Sequence, residues 1–160
     1  MPLAIREHVC NACRLPRSDG VLMARAEFLS QADRDLVEAV LVEGQLVKSV
    51  ARMKGMTPRS VALRIHRLAR LLVSKEFIEV IRSVAYLDPD DAHIARQWFC
   101  QQVPQRRLAA EIGLSVHALR RRLDQVRARI EVIAGQRRHG ATDGADNGST
   151  EEAVEVSAGE

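Results

Sequence analysis

Aromatic residues and long apolar runs are both scarce in this sequence. Of its 160 residues, 46% are hydrophobic but only 3% are aromatic, which favours an aliphatic, helix-packed core over an aromatic-rich sandwich. No stretch approaches the roughly 18 consecutive apolar residues that a membrane-spanning helix requires. The N-terminal stretch MPLAIREHVCNAC carries charges where a signal peptide has its apolar segment. We therefore expect a cytoplasmic protein that does not insert into a membrane.

Sequence motifs of the common enzyme classes are missing as well. The sequence contains no Walker loop, no G-x-S-x-G and no H-E-x-x-H. His93 lies close to Asp90 and Asp91, but this group falls at the start of a predicted helix, where the helix dipole favours acidic residues. Capping explains the group better than catalysis does. We therefore expect that the protein is not an enzyme.

The three cysteines supply at most half of a typical zinc site. Cys10 and Cys13 form a C-x-x-C pair with His8 nearby, whereas Cys100 falls inside a predicted helix. A structural zinc ion takes four nitrogen or sulfur ligands, and the sequence has no second C-x-x-C pair. Redox-active pairs usually accompany a βαβ pattern, which is not visible here. Reduced surface thiols without a cofactor are the favoured interpretation, and zinc bound by Cys10, Cys13 and His8 is the alternative.

Charge is distributed unevenly along the chain. All 24 lysine and arginine residues lie at or before Arg138, with 15 of the 21 acidic residues, so residues 1–138 carry a formal charge of +9 and the rest carry −6. Twenty-one of the basic residues are arginines, whose planar guanidinium group suits phosphates and guanine edges. A basic body indicates a polyanionic partner, although a solvated, arginine-rich surface would produce the same numbers.

Composition also divides the chain into segments. Residues 135–160 are rich in Gly, Ala, Ser and acidic residues and have almost no large apolar side chain, so this acidic tail is predicted to be disordered. Residues 1–28 form an N-terminal segment that contains the C-x-x-C pair. Between these segments the apolar residues recur with helical spacing, and no period-two strand pattern appears. The predicted fold is therefore all-α.

Residues 29–74 predict a unit of three helices. The first covers about 31–43 and a short one covers about 47–54. Gly55 allows the positive φ that ends the short helix, and Thr57 followed by Pro58 is a typical helix start. The third helix buries one continuous stripe, formed by Val61, Ile65, Leu68 and Leu72. A connecting helix over 75–86 is predicted to direct four side chains inward, namely Phe77, Ile78, Ile81 and Val84.

The plan of 29–74 recurs 58 residues later without a gap. The matches include Asp33 with Asp91, Ala51 with Ala109, Gly55 with Gly113, Thr57 with Ser115 and Arg64 with Arg122. The apolar stripe of the third helix recurs as Leu119, Leu123, Val126 and Ile130. Agreement in core, turn and cap positions together indicates an internal repeat. The second unit is therefore predicted over 87–134.

Each unit has the pattern of a helix-turn-helix, in which the long helix turns its polar face outward and can enter a major groove. The candidate DNA-binding residues are Arg59, Ser60, Arg64, His66, Arg67, His117, Arg120, Arg121 and Arg122. Those near the helix start are expected to reach base edges, whereas Arg64, Arg67, Arg122 and also Arg127 are expected to meet phosphates. Further candidate phosphate contacts on the short helices are Lys48, Arg52, Arg106 and Arg107.

Two stretches carry the turn and the basic helix of the units, VKSVARMKGMTPRSVALRIHRLARLL and RRLAAEIGLSVHALRRRLDQVRARI. Both resemble the fourth region of bacterial RNA polymerase sigma factors, the helix-turn-helix that contacts the −35 promoter element. The stretches LSQADRDLVEAVLVEG and LDPDDAHIARQWFCQQ are similar to the first helices of that region, so the resemblance covers roughly 29–133. It implies double-stranded DNA as a partner and RNA polymerase as a second one. We find no aromatic-rich second region of the kind that melts a −10 element.

The leading hypothesis is a sequence-specific, DNA-binding transcription regulator or sigma factor-like protein that acts in transcription initiation. The alternative is a protein-interaction module that docks on RNA polymerase or another partner without reading a specific DNA sequence. One unit could also bind DNA while its copy supports a protein contact. DNA binding through several phosphates weakens steeply with salt, and this distinguishes the two hypotheses.

Overall fold

A computed structural model describes Pro16 and residues 18–140 of the chain. In this part of the chain every regular element is helical and none is a strand, which confirms the all-α prediction. The predictions for His8, Cys10 and Cys13, and for residues 141–160 of the tail, lie outside the described residues.

Eight α-helices follow one another within the described residues. They are α1 (Asp19–Ala26), α2 (Gln31–Val37), α3 (Val47–Met53), α4 (Pro58–Val73), α5 (Lys75–Ser83), α6 (Pro89–Ala95), α7 (Gln105–Glu111) and α8 (Val116–Gly140). The π-helical turns Glu38–Val42 and Arg96–Cys100 extend α2 and α6, and a 3₁₀ turn, Val84–Tyr86, follows α5. The helices predicted over 31–43, 47–54 and 75–86 are thus present, with small differences at their ends.

Hydroxyl side chains begin the two long helices. The Thr57 hydroxyl accepts a hydrogen bond from the Ser60 N–H at 3.2 Å, and the Ser115 hydroxyl accepts one from the Ala118 N–H at 3.1 Å. Each cap satisfies a backbone donor that the helix leaves unpaired at its start, and it contributes about 1 kcal/mol of stability. The cap predicted at Thr57 is therefore confirmed.

The backbone repeats its irregular features with a spacing of 58 residues. The two π-helical turns are separated by this distance. So are Gly55 and Gly113, whose φ angles of 63° and 69° end α3 and α7 as predicted. Gly44 has a φ angle of 68°, and the corresponding residue, Gln102, has a φ angle of 53°. Among the described residues, Gln102 is the one residue other than glycine whose φ angle is positive. The internal repeat read from the sequence therefore extends to the backbone geometry.

The repeating part of the structure is longer than predicted because it includes α1, a helix that the sequence analysis does not identify. α1 packs against α2 and α4, and α5 packs against the π-helical turn Arg96–Cys100 and against α8. Leu22 of α1 and Val80 of α5, 58 residues apart, are both buried. The first half of the fold is therefore α1 to α4, and the second half is α5 to α8. The predicted connecting helix is the first helix of the second half.

The long helix of the second half, α8, continues to Gly140, whereas the sequence analysis places disorder from 135 onwards. A contact between the last turns of α8 and the end of α5 accounts for the difference. Arg137 donates a hydrogen bond to the Arg82 carbonyl oxygen, and its guanidinium carbon lies 5.6 Å from the centroid of the Tyr86 ring, within the range of a cation–π contact. The predicted boundary is therefore wrong for 135–140, which are helical.

One hydrophobic core runs through both halves. The predicted stripes of the two long helices are buried throughout: Val61, Ile65, Leu68 and Leu72 on α4, and Leu119, Leu123, Val126 and Ile130 on α8. After α4, Phe77 and Val84 are buried as predicted, but Ile78 and Ile81 are only half-buried. Val80 is buried instead, because residues 77, 80 and 84 lie on one helix face. Each long helix is thus held by one stripe, and its opposite face stays outside the core.

Candidate nucleic-acid interface

The face of α4 opposite its buried stripe is exposed and largely basic. Arg59, Leu63 and Arg67 are exposed at intervals of four residues, and Arg70 continues the same face. Ser60 is exposed beside Arg59 at the start of the helix. His66 is half-buried at the margin of this face. We call the exposed set Arg59, Ser60, Leu63 and Arg67 the α4 face.

The corresponding face of α8 is formed by the equivalent helix positions but has a different composition. Its exposed residues are His117, Arg121 and Gln125, which lie 58 residues after Arg59, Leu63 and Arg67. We call this set the α8 face. The central position of the face is therefore a leucine in the first half and an arginine in the second.

Arg64, one of the predicted DNA contacts, is paired with a buried acid inside the fold. Its Nε and Nη2 atoms donate to Asp33 Oδ1 at 2.5 Å and to Asp33 Oδ2 at 3.0 Å. The Asp33 side chain is 8% exposed, and it also accepts a hydrogen bond from the Ser30 hydroxyl at 2.8 Å. The hydrogen bond to Asp33 raises the pKa of the Arg64 guanidinium above its ordinary value, against a smaller opposing effect of burial. This two-point contact ties α4 to the first turn of α2.

The second half contains the same ion pair at the matching positions. Arg122 Nε donates to Asp91 Oδ1 at 2.6 Å, and the Asp91 side chain is fully buried. Arg129 lies about two turns after Arg122 on α8. It donates hydrogen bonds to the other carboxylate oxygen of Asp91 and to Asp88. Asp88 is the N-cap of α6, where its carboxylate accepts a hydrogen bond from the Asp91 N–H at 3.0 Å. That backbone hydrogen bond, with help from Arg129, lowers the pKa of Asp88 below its ordinary value.

These contacts give a role within the fold to two of the predicted arginines and to one acid. Arg64 and Arg122 are 47% and 36% exposed, but their guanidinium groups are directed to buried carboxylates. These ion pairs hold the long helices in place, and the DNA contacts proposed for Arg64 and Arg122 stay predictions. Asp91 lies in the first turn of α6, as predicted, and it also pairs with Arg122, while Asp88 supplies the N-cap.

Other predicted cations of the second half also have partners within the fold. Arg120 Nε donates to Gln105 Oε1 at 3.0 Å. Arg127 pairs with Glu76 at 3.1 Å and lies over the Phe99 ring, with 5.5 Å to the centroid. Of the predicted cluster at 120–122, Arg121 is therefore the one whose side chain has no ion pair or hydrogen bond within residues 18–140.

Several of the predicted phosphate and DNA contacts have no partner within the described part of the fold. Within the described part of the chain, no ion pair or side-chain hydrogen bond engages the following exposed residues: Lys48, Arg52, Arg59, Arg67, Arg106, Arg107, His117 and Arg121. They lie on the short helices α3 and α7 or on the outward faces of α4 and α8. The structure therefore separates the predicted set into cations that hold the fold together and cations that are available to a polyanion.

Sequence reasoning missed two features of this surface. It matched Asp33 with Asp91 and Arg64 with Arg122 across the repeat but did not join each acid to its arginine, although both pairs are separated by 31 residues. It also passed over Leu63, which is 58% exposed. The exposure of Leu63 could have been predicted, because this residue lies outside the apolar stripe of its own helix.

Neither metal ligation nor thiol chemistry is indicated in the described region. Within residues 18–140 no group of three or more His, Cys, Asp or Glu side chains could hold a metal ion. Cys100 is buried, and burial raises the pKa of its thiol to about 12. The helices of the same region include none with both the length and the apolarity to cross a bilayer.

Comparisons with protein-family models, with curated proteins and with solved structures find no match to this chain. The function is therefore inferred from the residues and their geometry.

Proposed function

We propose that the protein binds specific sequences of double-stranded DNA and acts in transcription initiation, as a regulator or a sigma factor-like protein. In this proposal α3 with α4, and α7 with α8, are two helix-turn-helix units whose long helices enter the major groove. The resemblance to the fourth region of sigma factors supports RNA polymerase as a second partner.

The arrangement of arginines on α4 carries the proposal. Arg64 is anchored to a buried acid, while Arg59 and Arg67 are exposed on the side of α4 opposite its buried stripe and have no partner within the described residues. A helix that is held by its buried stripe and by an ion pair, and that presents unpaired guanidinium groups on its exposed face, is suited to a groove lined with phosphates and base edges. Lys48 and Arg52 on α3 would meet the phosphate backbone beside the groove.

The test is DNA binding measured at several salt concentrations, first with a pool of randomised duplexes and then with the duplexes that the protein enriches. We expect the logarithm of the binding constant to fall linearly with the logarithm of salt concentration, because each neutralised phosphate releases counterions. The double variant Arg59→Ala/Arg67→Ala should bind more weakly and should lose about one unit of salt slope per phosphate contact removed.

A matched control removes an arginine from another surface. Arg82 is exposed on α5, which is part of neither helix-turn-helix unit, so Arg82→Ala should leave affinity and salt slope unchanged. The variant Arg121→Ala reports on the second half separately. If the wild-type protein enriches no duplex, or if Arg59→Ala/Arg67→Ala binds as tightly as wild type, the proposed function is wrong.

Two exposed apolar side chains on or beside α3 favour docking on a protein as the second candidate function. Leu46 is 50% exposed and Met53 is 69% exposed, and apolar side chains at such positions can anchor a partner protein. In that case Leu46→Ala/Met53→Ala should weaken binding to RNA polymerase in a pull-down with purified components, and Arg59→Ala/Arg67→Ala should not affect DNA affinity.

A further inference from the structure

The α4 face has an apolar residue at its centre. Leu63 is 58% exposed, with Arg59 one turn before it and Arg67 one turn after it. It is not part of the core stripe, whose nearest members, Val61 and Ile65, are at most 1% exposed. A large aliphatic side chain that is more than half exposed is available to an apolar group of a ligand.

The edges of DNA bases offer one such group. In the major groove, thymine alone presents a methyl group, while every other distinguishing feature is a hydrogen-bond donor or acceptor. Leucine has no hydrogen-bonding atom in its side chain, so its favourable base contact is with this methyl group. The flanking arginines would hold the helix against the phosphates and bring Leu63 to the base edges.

The second half has a different reader at the equivalent position. Arg121 lies 58 residues after Leu63, is exposed, and makes no ion pair within the described residues. An arginine at a base edge pairs with the O6 and N7 acceptors of guanine. The two long helices start from equivalent caps at Thr57 and Ser115. Leu63 and Arg121 therefore lie at the same position relative to the start of their helices.

We propose that Leu63 is a specificity-determining residue that reads a thymine methyl group, and that Arg121 reads guanine at the equivalent position of a second half-site. This inference rests on the proposed function, because it assumes that the two long helices enter the major groove. The preferred DNA would then contain two unlike half-sites, and this asymmetry would fix the orientation of the protein on the duplex.

The experiment starts from duplexes enriched by the wild-type protein out of a randomised pool. Each thymine of the enriched site is replaced in turn by uracil, which lacks the methyl group and keeps the pairing. At one thymine we expect a loss of affinity of about fourfold, the effect of removing one buried carbon group. The variant Leu63→Ala should bind thymine and uracil equally at that position and should keep its uracil response elsewhere.

Two exchanges and one control sharpen the result. Leu63→Arg should shift the preference at this position from thymine to guanine, and Arg121→Leu should shift the second half-site from guanine to thymine. Val132 is a 59% exposed apolar residue on α8, three turns beyond Arg121, so Val132→Ala should leave the uracil response of wild type intact. Circular dichroism should show a wild-type helix content for Leu63→Ala, because the side chain is outside the core.

The outcomes separate this inference from the proposed function. If no duplex is enriched, both are wrong. If duplexes are enriched but Leu63→Ala keeps every uracil response of wild type, the protein binds DNA and Leu63 does not read thymine. If Leu63→Ala loses the response at one thymine and Leu63→Arg selects guanine there, the assignment holds.

Discussion

Replacing Arg64 with alanine takes away both hydrogen bonds that the guanidinium donates to Asp33, at 2.5 and 3.0 Å. The carboxylate that stays behind is 8% exposed and keeps only the Ser30 hydroxyl, at 2.8 Å, among its side-chain donors in the described region. Removing one partner of a buried ion pair costs about 3–5 kcal/mol. Since Arg64 itself is 47% exposed, solvent screening places the expected loss near the lower limit, at about 3 kcal/mol.

The equivalent replacement in the second half should cost less. Asp91 is fully buried, but without Arg122 it still accepts a hydrogen bond from Arg129. The loss is then closer to that of one hydrogen bond to a charged group, about 1.5 kcal/mol. Arg64→Ala should therefore be the more destabilising change, although the two ion pairs have nearly equal distances of 2.5 and 2.6 Å.

Urea denaturation followed by circular dichroism measures the difference, and the midpoint for Arg64→Ala should fall below that for Arg122→Ala. In a chain of this size a loss of 3 kcal/mol corresponds to a decrease in Tm of about 6–12 °C. The double variant Asp33→Ala/Arg64→Ala should recover part of the loss, because it leaves no unpaired carboxylate in the core. Equal losses for the two arginine variants, or a larger one for Arg122→Ala, would refute the reasoning.

Two further predictions concern the backbone and the buried thiol. Gln102→Gly should raise the free energy of unfolding by about 0.5 kcal/mol. The left-handed conformation costs a residue with a side chain about 1–2 kcal/mol, but glycine loses more conformational entropy on folding, and this offsets part of the gain. Gly44→Gln should lower it by a similar amount, and urea midpoints that move the opposite way would contradict the argument. With Cys10 and Cys13 changed to serine, Cys100 should react with a thiol reagent at pH 8 far more slowly than in denaturant, because the thiol is buried and its pKa is about 12. Its neutral form stabilises the fold fully below the ordinary thiol pKa of about 8.5, and this contribution is lost as the pH rises towards the folded value. Equal labelling rates with and without denaturant would contradict the burial.

Much of the fold follows from local signals in the sequence. Thr57 followed by Pro58, and the glycines at 55 and 113, mark helix boundaries through caps and positive φ angles that depend only on neighbouring residues. The buried stripe of α4 follows from helical periodicity in the same way. Such features are set within one or two turns of chain, so they can be read without knowing the tertiary structure.

Features that depend on distant contacts could not be read in this way. α8 reaches Gly140 because Arg137 contacts Arg82 and Tyr86 on another helix. The inward direction of Arg64 depends on an acid 31 residues earlier in the chain. An exposed arginine and an anchored one look alike in a helical pattern, so the candidate site was predicted as a region, and its division into anchored and available cations came from the structure.

The two buried acids also bear on how the molecule opens. Each of them joins the first turn of α2 or α6 to the long helix of the same half, across 31 residues that include the short helix and the turn. Amide hydrogens exchange through cooperative openings of such units, so the short helix and the long helix should exchange together in each half. Ligand-binding segments are often drawn from the least stable part of a protein. Here the exposed basic faces would belong to units closed by a buried ion pair.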